Sequence, residues 1–389
     1  MPHKEARTRL WFAVVLLGVL PLLAGCDNFF VKGSGTGSGG GGGGTGGTTI
    51  GGAGANYAYV VNKLSNTVSG FLIGAGTLTP TPNSPYSFGF APQAAVVTRA
   101  NNFLYVAAPA AVYAFGIRSD GSLAGSTQVA AVAIGTELAL AVSPDGQWLF
   151  GLNSQSSTLD EWQINQITGT ITAMTGAPYT LTTGTPLPLA LRVSPAGNYI
   201  FAALGTGGDH VFTLNTASGL VLSTQQLSLN SDTTSDNSLV TDSTGSTLYI
   251  ARSGTNGGLA VYTIGAAGLL QPVSGSPFPT GLGTFDVAVD GTGKYVYAAN
   301  RSDGTISGFS IGAGGRLAAL SGSPYASGSL VTSLVADRSG SYLLAAAAGG
   351  SPDLTLYGFD AAVPGRLRSL TTAASGADPA GSTQLALAH

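Results

Sequence analysis

Short apolar runs recur along residues 56–389, and clusters of Gly, Asn, Asp and Ser separate them. The clearest copy contains the runs Phe285–Asp290, Tyr295–Asn300, Thr305–Ile311 and Arg316–Leu320. Short runs rich in Val, Ile, Tyr and Ala between such turn residues are typical of β-strands. We therefore predict four strands in each copy, named A to D in chain order.

The pattern of strand B occurs seven times, and successive copies begin 45 to 51 residues apart. The copies begin at Tyr57, Phe103, Trp148, Tyr199, Leu248, Tyr295 and Tyr342. A repeat of about 45 residues with four strands is typical of a β-propeller blade. Runs such as Leu138–Val142 are apolar on both faces, as expected for sheets packed between two neighbours. The prediction is an all-β, seven-bladed β-propeller with four antiparallel strands per blade over residues 56–389.

The two ends of the repeat region predict how the ring closes. The first strand B has no strand A before it, whereas Gln384–Ala388 has the pattern of strand A and no strand B after it. Seven strands of each kind pair if this C-terminal strand completes the first blade. Such closure leaves no exposed sheet edge that could pair with another chain.

Residues 1–25 are predicted to be an export signal. Three basic residues precede the apolar run Leu10–Leu23, which is shorter than the roughly 20 residues of a membrane-spanning helix. The sequence Leu-Ala-Gly-Cys that ends at Cys26 then resembles the bacterial lipobox, which implies lipidation of Cys26. The protein would be exported and attached to a membrane of the cell envelope through this lipid. An ordinary cleaved signal and an uncleaved anchor are the alternatives.

Residues 26–55 are predicted to be a flexible tether after the lipidated cysteine. Gly, Ser and Thr dominate Gly33–Ala55, and such a segment cannot bury enough apolar surface to offset the entropy of ordering it.

The composition narrows the classes of function. Only 8% of residues are charged, and the few Lys and Arg are scattered, which excludes an electrostatic binder of nucleic acid. The single cysteine excludes a disulfide framework and a cysteine-based zinc site. Asp236 and its acidic neighbours do not have the spacing of a calcium loop, so we expect them in a solvated loop. The sequence predicts no metal and no cofactor.

Two motifs connect the repeats with a known family. Tyr295–Asn300 followed by Thr305–Ile311 resembles the YVTN repeat. Ser143–Gly146 and Ser194–Gly197 resemble the turn between strands A and B in lactonase-like seven-bladed propellers, which include 6-phosphogluconolactonases. The resemblance covers about Asn56–His389. It implies the propeller fold and, as an expectation, hydrolysis of a sugar lactone.

The residues that the family uses for catalysis are not retained. The resemblance implies a His, an Arg-His pair and an Asn-Glu pair. These positions fall on Leu138 or Leu189, near Asn237 and Ser238, and near Arg252 and Ser253. The chain after Cys26 also has only two His and two Glu. The pair Asp209–His210 is expected to be a solvated turn, because adjacent strand residues point to opposite faces.

These considerations favour a non-catalytic binding scaffold at the cell envelope, with an envelope protein, a peptide or a glycan as ligand. A lactonase-like enzyme is the alternative, and a structural surface protein is the second alternative. The longer B–C and D–A loops share one rim of a propeller, and longer loops carry function more often than uniform turns. The candidate ligand-binding residues on this rim are Glu137, Arg252, Asn300, Arg301 and Asp303. Two charged residues inside strands A, Arg192 and Asp286, are expected to line the channel because buried charge must be paired or hydrated.

Overall fold

The computed structural model describes residues 56–181, 187, 189–227, 229, 233–337, 339–376 and 383–388. The chain divides into two units, residues 1–47 and 48–389. The predicted signal, Cys26 and the tether lie outside the described residues. Within the ranges just given, no helix is long and apolar enough to cross a membrane.

Twenty-nine strands account for the regular structure of the described residues. Blades 1 to 3 contain β1 (Asn56–Asn62), β2 (Thr67–Gly74), β3 (Thr77–Pro80), β4 (Tyr86–Ser87), β5 (Ala94–Val97), β6 (Phe103–Ile117), β7 (Leu123–Val142), β8 (Trp148–Asn153), β9 (Thr158–Ile164), β10 (Ile171–Ala173) and β11 (Tyr179–Thr180). Blades 4 and 5 contain β12 (Ala190–Val193), β13 (Tyr199–Ala203), β14 (Asp209–Leu214), β15 (Val221–Leu227), β16 (Ser235–Thr241), β17 (Thr247–Ser253), β18 (Gly258–Ile264) and β19 (Leu270–Pro272). Blades 6 and 7 contain β20 (Thr284–Val289), β21 (Tyr295–Asn300), β22 (Thr305–Ile311), β23 (Leu317–Ala319), β24 (Tyr325–Ala326), β25 (Val331–Ala336), β26 (Tyr342–Ala347), β27 (Leu354–Phe359) and β28 (Leu367–Ala373), and β29 (Thr383–Leu387) returns to blade 1. Two 3₁₀ turns cover Ala266–Gly268 and Ala313–Gly315.

The predicted seven-bladed propeller is confirmed, and each blade is an antiparallel sheet of strands A to D. Blades 2 and 3 differ from the other blades in one respect: two long strands each continue through two strand positions without a break. Strand β6 supplies strands B and C of blade 2, since the amide of Ile117 donates to the carbonyl of Asn102 and folds the two halves together. Strand β7 supplies strand D of blade 2 and strand A of blade 3.

The ring closes as predicted, because the C-terminal strand completes the first blade. Strand β29 pairs antiparallel with β1, and the register places Leu385 opposite Val60. Leu385 is 8% exposed and packs with Val60 and with Leu344 of blade 7. The last strand therefore contacts both blade 1 and blade 7, the two blades that meet where the ring closes.

At several seams between blades, an aromatic side chain of one blade contacts a glycine in a turn of the next blade. Tyr57 of blade 1 packs on Gly121, which lies in the C–D turn of blade 2 at φ 77°. A Cβ at Gly121 would lie 2.4 Å from the Tyr57 ring, so a larger residue cannot fit there. The hydroxyl of Tyr59 donates to the carbonyl of the same glycine at 2.8 Å. Tyr105 and Tyr297 donate in the same way to Gly169 and Gly365. The recurrent aromatic at strand B thus joins each of these blades to the next.

Replacing Leu385 by Ala should lower the free energy of unfolding by about 2–4 kcal/mol, because the change leaves a cavity in the closing seam. Urea unfolding followed by circular dichroism measures the loss. Leu64→Ala is the matched control, because Leu64 is 66% exposed in a turn of the same blade and should change stability by less than about 0.5 kcal/mol. Equal, small losses in both variants would contradict closure through β29.

Candidate functional site

The seven inner strands surround a channel, and a polar cavity of about 200 Å³ forms its mouth on the rim of the B–C and D–A loops. We call this cavity the channel mouth. Its lining includes Lys63, Gln93, Leu189, Arg192, Asn237, Ser238, Phe285, Asp286, Thr332 and Ser333. Among the described residues that line it, Asp286 is the one carboxylic acid, and Lys63 and Arg192 are the two cations.

Asp286 is held in the wall of the mouth by backbone amides from two blades. Its Oδ1 accepts from the amide of Val287 at 2.9 Å, and its Oδ2 accepts from the amide of Leu334 of blade 7 at 2.7 Å. Each carboxylate oxygen has a further lone pair for a second donor. Burial raises the pKa of Asp286, although a hydrogen bond with Ser238 and the charge of Arg192 oppose the rise. A rigidly held carboxyl whose pKa is raised can act as a general base.

The position that Asp286 occupies on its inner strand recurs in several blades, but the residue type at that position differs from blade to blade. Each of these inner strands has a β-bulge at its start, and the register makes Ala139, Ser238 and Ser333 the equivalents of Asp286. Asp286 alone among these four is ionisable. The repeat therefore determines where the side chain at this position lies. In blade 6 the residue at this position is an acid.

The two cations lie at different depths of the channel. Lys63 is half-buried in the B–C turn of blade 1. Arg192 is exposed and lies on the inner strand of blade 4, where its Nη1 donates to the carbonyl of Leu191 at 2.9 Å. Arg192 and Asp286 both line the channel mouth. The charge of Arg192 acts on Asp286, and Lys63 lines the same cavity.

A second recess of about 610 Å³ lies on the same rim, and we call it the rim groove. It is lined by Arg252, Ser253, the loop 279–284, Phe285 and Arg301. The guanidinium of Arg301 lies 5.2 Å from the centre of the Phe285 ring, a cation–π distance. Phe285 lines both recesses, so the rim groove borders the channel mouth.

Arg252 is engaged by a buried carboxylate on the neighbouring strand. Its Nε and Nη2 donate to the two oxygens of Asp236 at 2.6 and 2.7 Å. Asp236 is fully buried, which contradicts its expected place in a solvated loop. The reason is that strand β16 begins at Ser235, so Asp236 is part of the inner strand of blade 5.

A second buried acid, Asp209, lies beside this ion pair. Neither of its oxygens has a hydrogen-bond donor among the described residues, and the side chain is 1% exposed. Burial raises the pKa of Asp209 well above its ordinary value, the nearby Asp236 carboxylate adds to the rise, and Arg252 opposes it. Asp209 is therefore protonated where most carboxylates are ionised, and its proton can be shared with Asp236.

The expectation of a solvated Asp209–His210 turn was also wrong. Both residues are buried because strand β14 begins at Asp209 and the backbone of Gly205 pairs with Asp236 of the next blade. His210 contacts the hydroxyl of Thr224 at 3.3 Å and stacks on Phe212. Burial lowers the pKa of His210, so the imidazole is neutral in a structural position.

The remaining predicted rim residues have different places. The amide of Asn300 is fully buried and donates to Thr305 and Ser307, so it supports the loop and lines neither recess. Asp303 is exposed and accepts from the amide of Leu282 at 2.6 Å, which holds the loop of the rim groove. Glu137 pairs through its backbone with Asn153, and its side chain lies outside the described part of the chain.

The positions that the family resemblance selected from the sequence come together at the two recesses. Leu189, Asn237 and Ser238 line the channel mouth, whereas Arg252 and Ser253 line the rim groove. Asn237 joins the two, because its amide donates to Ser253 at 2.9 Å and to the carbonyl of Thr284 at 2.8 Å. The residue types at these positions therefore differ from those that the resemblance implies. Among the residues that the structure describes, no three His, Cys, Asp or Glu side chains form a metal-binding group.

Comparisons with known proteins agree with this architecture. Residues 52–186 and 205–329 match the family model described as lactonase, seven-bladed β-propeller. A candidate 6-phosphogluconolactonase of Bacteroides uniformis is 18% identical, with a TM-score of 0.68 over 85% of this chain and 99% of that one. A second candidate 6-phosphogluconolactonase, of Bacteroides fragilis, is 18% identical, with a TM-score of 0.66 over 82% and 96%. The periplasmic gluconolactonase of Pseudomonas aeruginosa is 15% identical, with a TM-score of 0.64 over 86% and 99%. A search of curated proteins gives no match.

Replacing Asp209 by Asn should reduce the pH dependence of stability. Since the folded protein holds the proton of Asp209 more tightly than the unfolded chain, the free energy of unfolding falls as pH rises from 3.8, the ordinary value, to the raised pKa. Asn keeps the shape and a donor for Asp236 but does not titrate. The slope of the unfolding free energy against pH should therefore decrease by up to about 1.4 kcal/mol per pH unit.

Urea unfolding at a series of pH values measures this slope. Asp303→Asn removes an exposed carboxylate from the same rim and should keep the slope of the original protein. An unchanged slope in Asp209→Asn would show that Asp209 is ionised in the folded state.

Proposed function

Because this chain belongs to the family of seven-bladed β-propeller lactonases, we propose that it is a hydrolase that opens a lactone ring with water. The observation that carries the proposal is the buried carboxyl of Asp286, which is held by two backbone amides and feels the charge of Arg192 in a channel mouth that Lys63 also lines. The gluconolactonases among the similar structures support the same type of reaction.

The leading expectation from the sequence, a non-catalytic scaffold, was therefore wrong. The match to the lactonase family over more than half of the chain overturns it in favour of the lactonase-like enzyme. The expectation rested on the scarcity of His and Glu. It assumed that a lactonase requires those residue types for catalysis. A general base needs a suitable pKa and position, and burial gives an aspartate the first of these.

The proposed reaction is a hydrolysis in which Asp286 carries the proton. The Asp286 carboxylate takes a proton from a water molecule while the water oxygen forms a bond to the lactone carbonyl carbon. The negative charge that develops on the carbonyl oxygen is stabilised by Arg192 and Lys63. The bond between the carbonyl carbon and the ring oxygen then breaks, and the proton on Asp286 passes to that oxygen. The product is a hydroxy acid whose carboxylate lies beside the cations.

The rim groove fits this role less well than the channel mouth. Its Arg252 already forms a two-bond ion pair with Asp236. The nearby Asp303 is exposed and holds the loop, so burial cannot strengthen it as a base. The groove can still contact a part of the substrate that extends from the mouth past Phe285.

We also propose that residues 1–25 direct export and that Cys26 carries the lipid that anchors the enzyme. The lipobox-like sequence and its place after the apolar run support this proposal. In bacteria fed radioactive palmitate, the original protein should become labelled and remain with membranes, whereas Cys26→Ser should do neither. Equal labelling of both would overturn the proposed lipidation.

Replacing Asp286 by Asn should lower kcat/KM for lactone hydrolysis by at least about 100-fold, because the amide cannot accept the proton of water. A pH-stat assay on δ-gluconolactone and γ-butyrolactone, corrected for spontaneous hydrolysis, measures the change. For the original protein, kcat/KM should fall as pH falls through the raised pKa of Asp286.

Asp145→Asn is the control and should keep full activity, because Asp145 is exposed in the A–B turn of blade 3 and lines neither recess. Circular dichroism and urea unfolding establish that Asp286→Asn is folded, which matters because Asp286 also bonds Leu334 of blade 7. Full activity in a folded Asp286→Asn protein would overturn its role as base. No turnover of any lactone by the original protein would overturn the proposed function.

A further inference from the structure

The rim groove is lined mainly by polar side chains and glycines. The described residues that line it include two arginines, four residues with a hydroxyl group and four glycines, whereas Pro279, Leu282 and Phe285 are the apolar ones. None of these three is buried, so the groove has no closed apolar wall. Such a lining suits a ligand that carries many hydroxyl groups better than an alkyl chain.

Glycines leave the loop side of the groove as backbone without side chains. A Cβ at Gly281 would lie 2.7 Å from the Nδ2 of Asn300, and a Cβ at Gly283 would overlap the Oγ of Ser302. Gly283 also has φ 71°, a conformation that other residues rarely adopt. The loop can therefore approach the B–C turn of blade 6 closely, and no side chain at these two positions takes up space in the groove.

Backbone hydrogen bonds hold Arg301 at the edge of the groove. The amides of Arg301 and Ser302 donate to the carbonyls of Gly283 and Leu282 at 2.9 and 3.1 Å. The Arg301 side chain forms no ion pair or hydrogen bond with another described residue, and its guanidinium lies 5.2 Å from the centre of the Phe285 ring. Its five N–H groups are therefore available to the hydroxyl oxygens of a ligand.

The charges around the groove favour a neutral ligand over an anion. Asp236 neutralises Arg252, and Asp303 lies against the loop, where its Oδ2 accepts from the amide of Leu282 at 2.6 Å. A Cβ at Gly281 would lie 2.6 Å from the same oxygen. The two arginines are thus accompanied by two carboxylates, so an anionic group in the groove would meet no excess of positive charge.

A β-bulge places Phe285 at the border between the groove and the channel mouth. The bulge lies between Thr284 and Asp286, so Phe285 is the extra residue of the inner strand. Bulges re-aim side chains and are frequent next to active sites. The corresponding extra residues Asn237 and Thr332 line the mouth, whereas Phe285 lines the mouth and the groove. A ring that packs on Phe285 from the groove is therefore next to a lactone bound at Asp286.

We propose that the substrate is a glycosylated aldonolactone, with its lactone ring in the channel mouth and the linked sugar in the rim groove. Phe285 contacts a face of this sugar, and Arg301 donates to its hydroxyl groups. The proposal rests on the proposed lactone hydrolysis and names its substrate class. The mouth, of about 200 Å³, takes the lactone ring, and the groove, of about 610 Å³, has room for a second ring. The glycosidic bond is not broken, so the product is a glycosyl aldonic acid.

The first experiment measures kcat/KM for glucono-δ-lactone and for its 3-O-, 4-O- and 6-O-glucosyl derivatives. The linkage decides in which direction the second ring leaves the mouth. At least one derivative should exceed gluconolactone by about tenfold, because the added sugar gains an aromatic contact and a hydrogen bond from a charged donor. Values at or below that of gluconolactone for all three would overturn the proposal. A larger gain for 6-phosphogluconolactone than for every glucosyl derivative would overturn a neutral occupant.

The second experiment removes the donor at the edge of the groove. Arg301→Ala should lower the ratio of kcat/KM between the best glucosyl derivative and gluconolactone from about tenfold to about twofold or less. Arg99→Ala is the matched control and should keep the ratio, because Arg99 is exposed in the A–B turn of blade 2 on the opposite rim.

A third variant fills the groove and does not depend on Arg301. Ser302 is exposed and lines the groove, so Ser302→Trp should place a large ring where the sugar binds and abolish the gain. Gln155→Trp is the matched control, because Gln155 is exposed at the same turn position of blade 3 and lines neither recess. An undiminished ratio in folded Ser302→Trp and in folded Arg301→Ala would overturn the placement of the sugar.

Calorimetric binding of gluconolactam and its glucosyl derivatives separates this proposal from the proposed function, because a lactam needs no turnover to bind. Tighter binding of a glucosyl lactam by a protein that hydrolyses no lactone would overturn the lactonase activity and support the sugar site. Hydrolysis that is equal for all the lactones, with equal affinity for all the lactams, would overturn the sugar site alone. Neither hydrolysis nor lactam binding would overturn both.

Discussion

The pairing of the last strand with the first is the constraint on which the rest of the structure depends. The inner strands of seven blades surround a channel only if the ring is closed, and β29 closes it by pairing with β1 and packing against blade 7. Leu385 of this strand lines the channel mouth. The residues that close the ring are therefore also part of the wall of the proposed active site.

The same inner strands are joined by side chains that reach the backbone of the next blade. Asn237 donates to the carbonyl of Thr284, and Asp286 accepts from the amide of Leu334. An aspartate introduced at the position that Asp286 occupies gains hydrogen bonds from backbone amides that already face this position. This is a physical reason why a propeller can change the chemistry of its channel mouth without changing its fold, since the site is added to the repeat.

Local patterns predicted most of the fold, because a blade is defined by strands and turns that are close in sequence. The seven copies of strand B and the unpaired C-terminal strand were sufficient for the blade number and the closure. The burial of Asp209 could not be predicted in the same way, because it depends on the backbone of Gly205 pairing with Asp236 of the next blade. Asp286 lies at the channel mouth, and its environment comes from Leu334 and Arg192 on other blades, which no local pattern specifies.

The reactivity of Asp286 depends on a balance between burial and polar contacts. Burial strengthens a carboxylate as a base by raising its pKa, but the same rise reduces the fraction that is ionised at a given pH. Ser238 and Arg192 oppose the rise, so they keep part of the carboxyl ionised while burial keeps it basic.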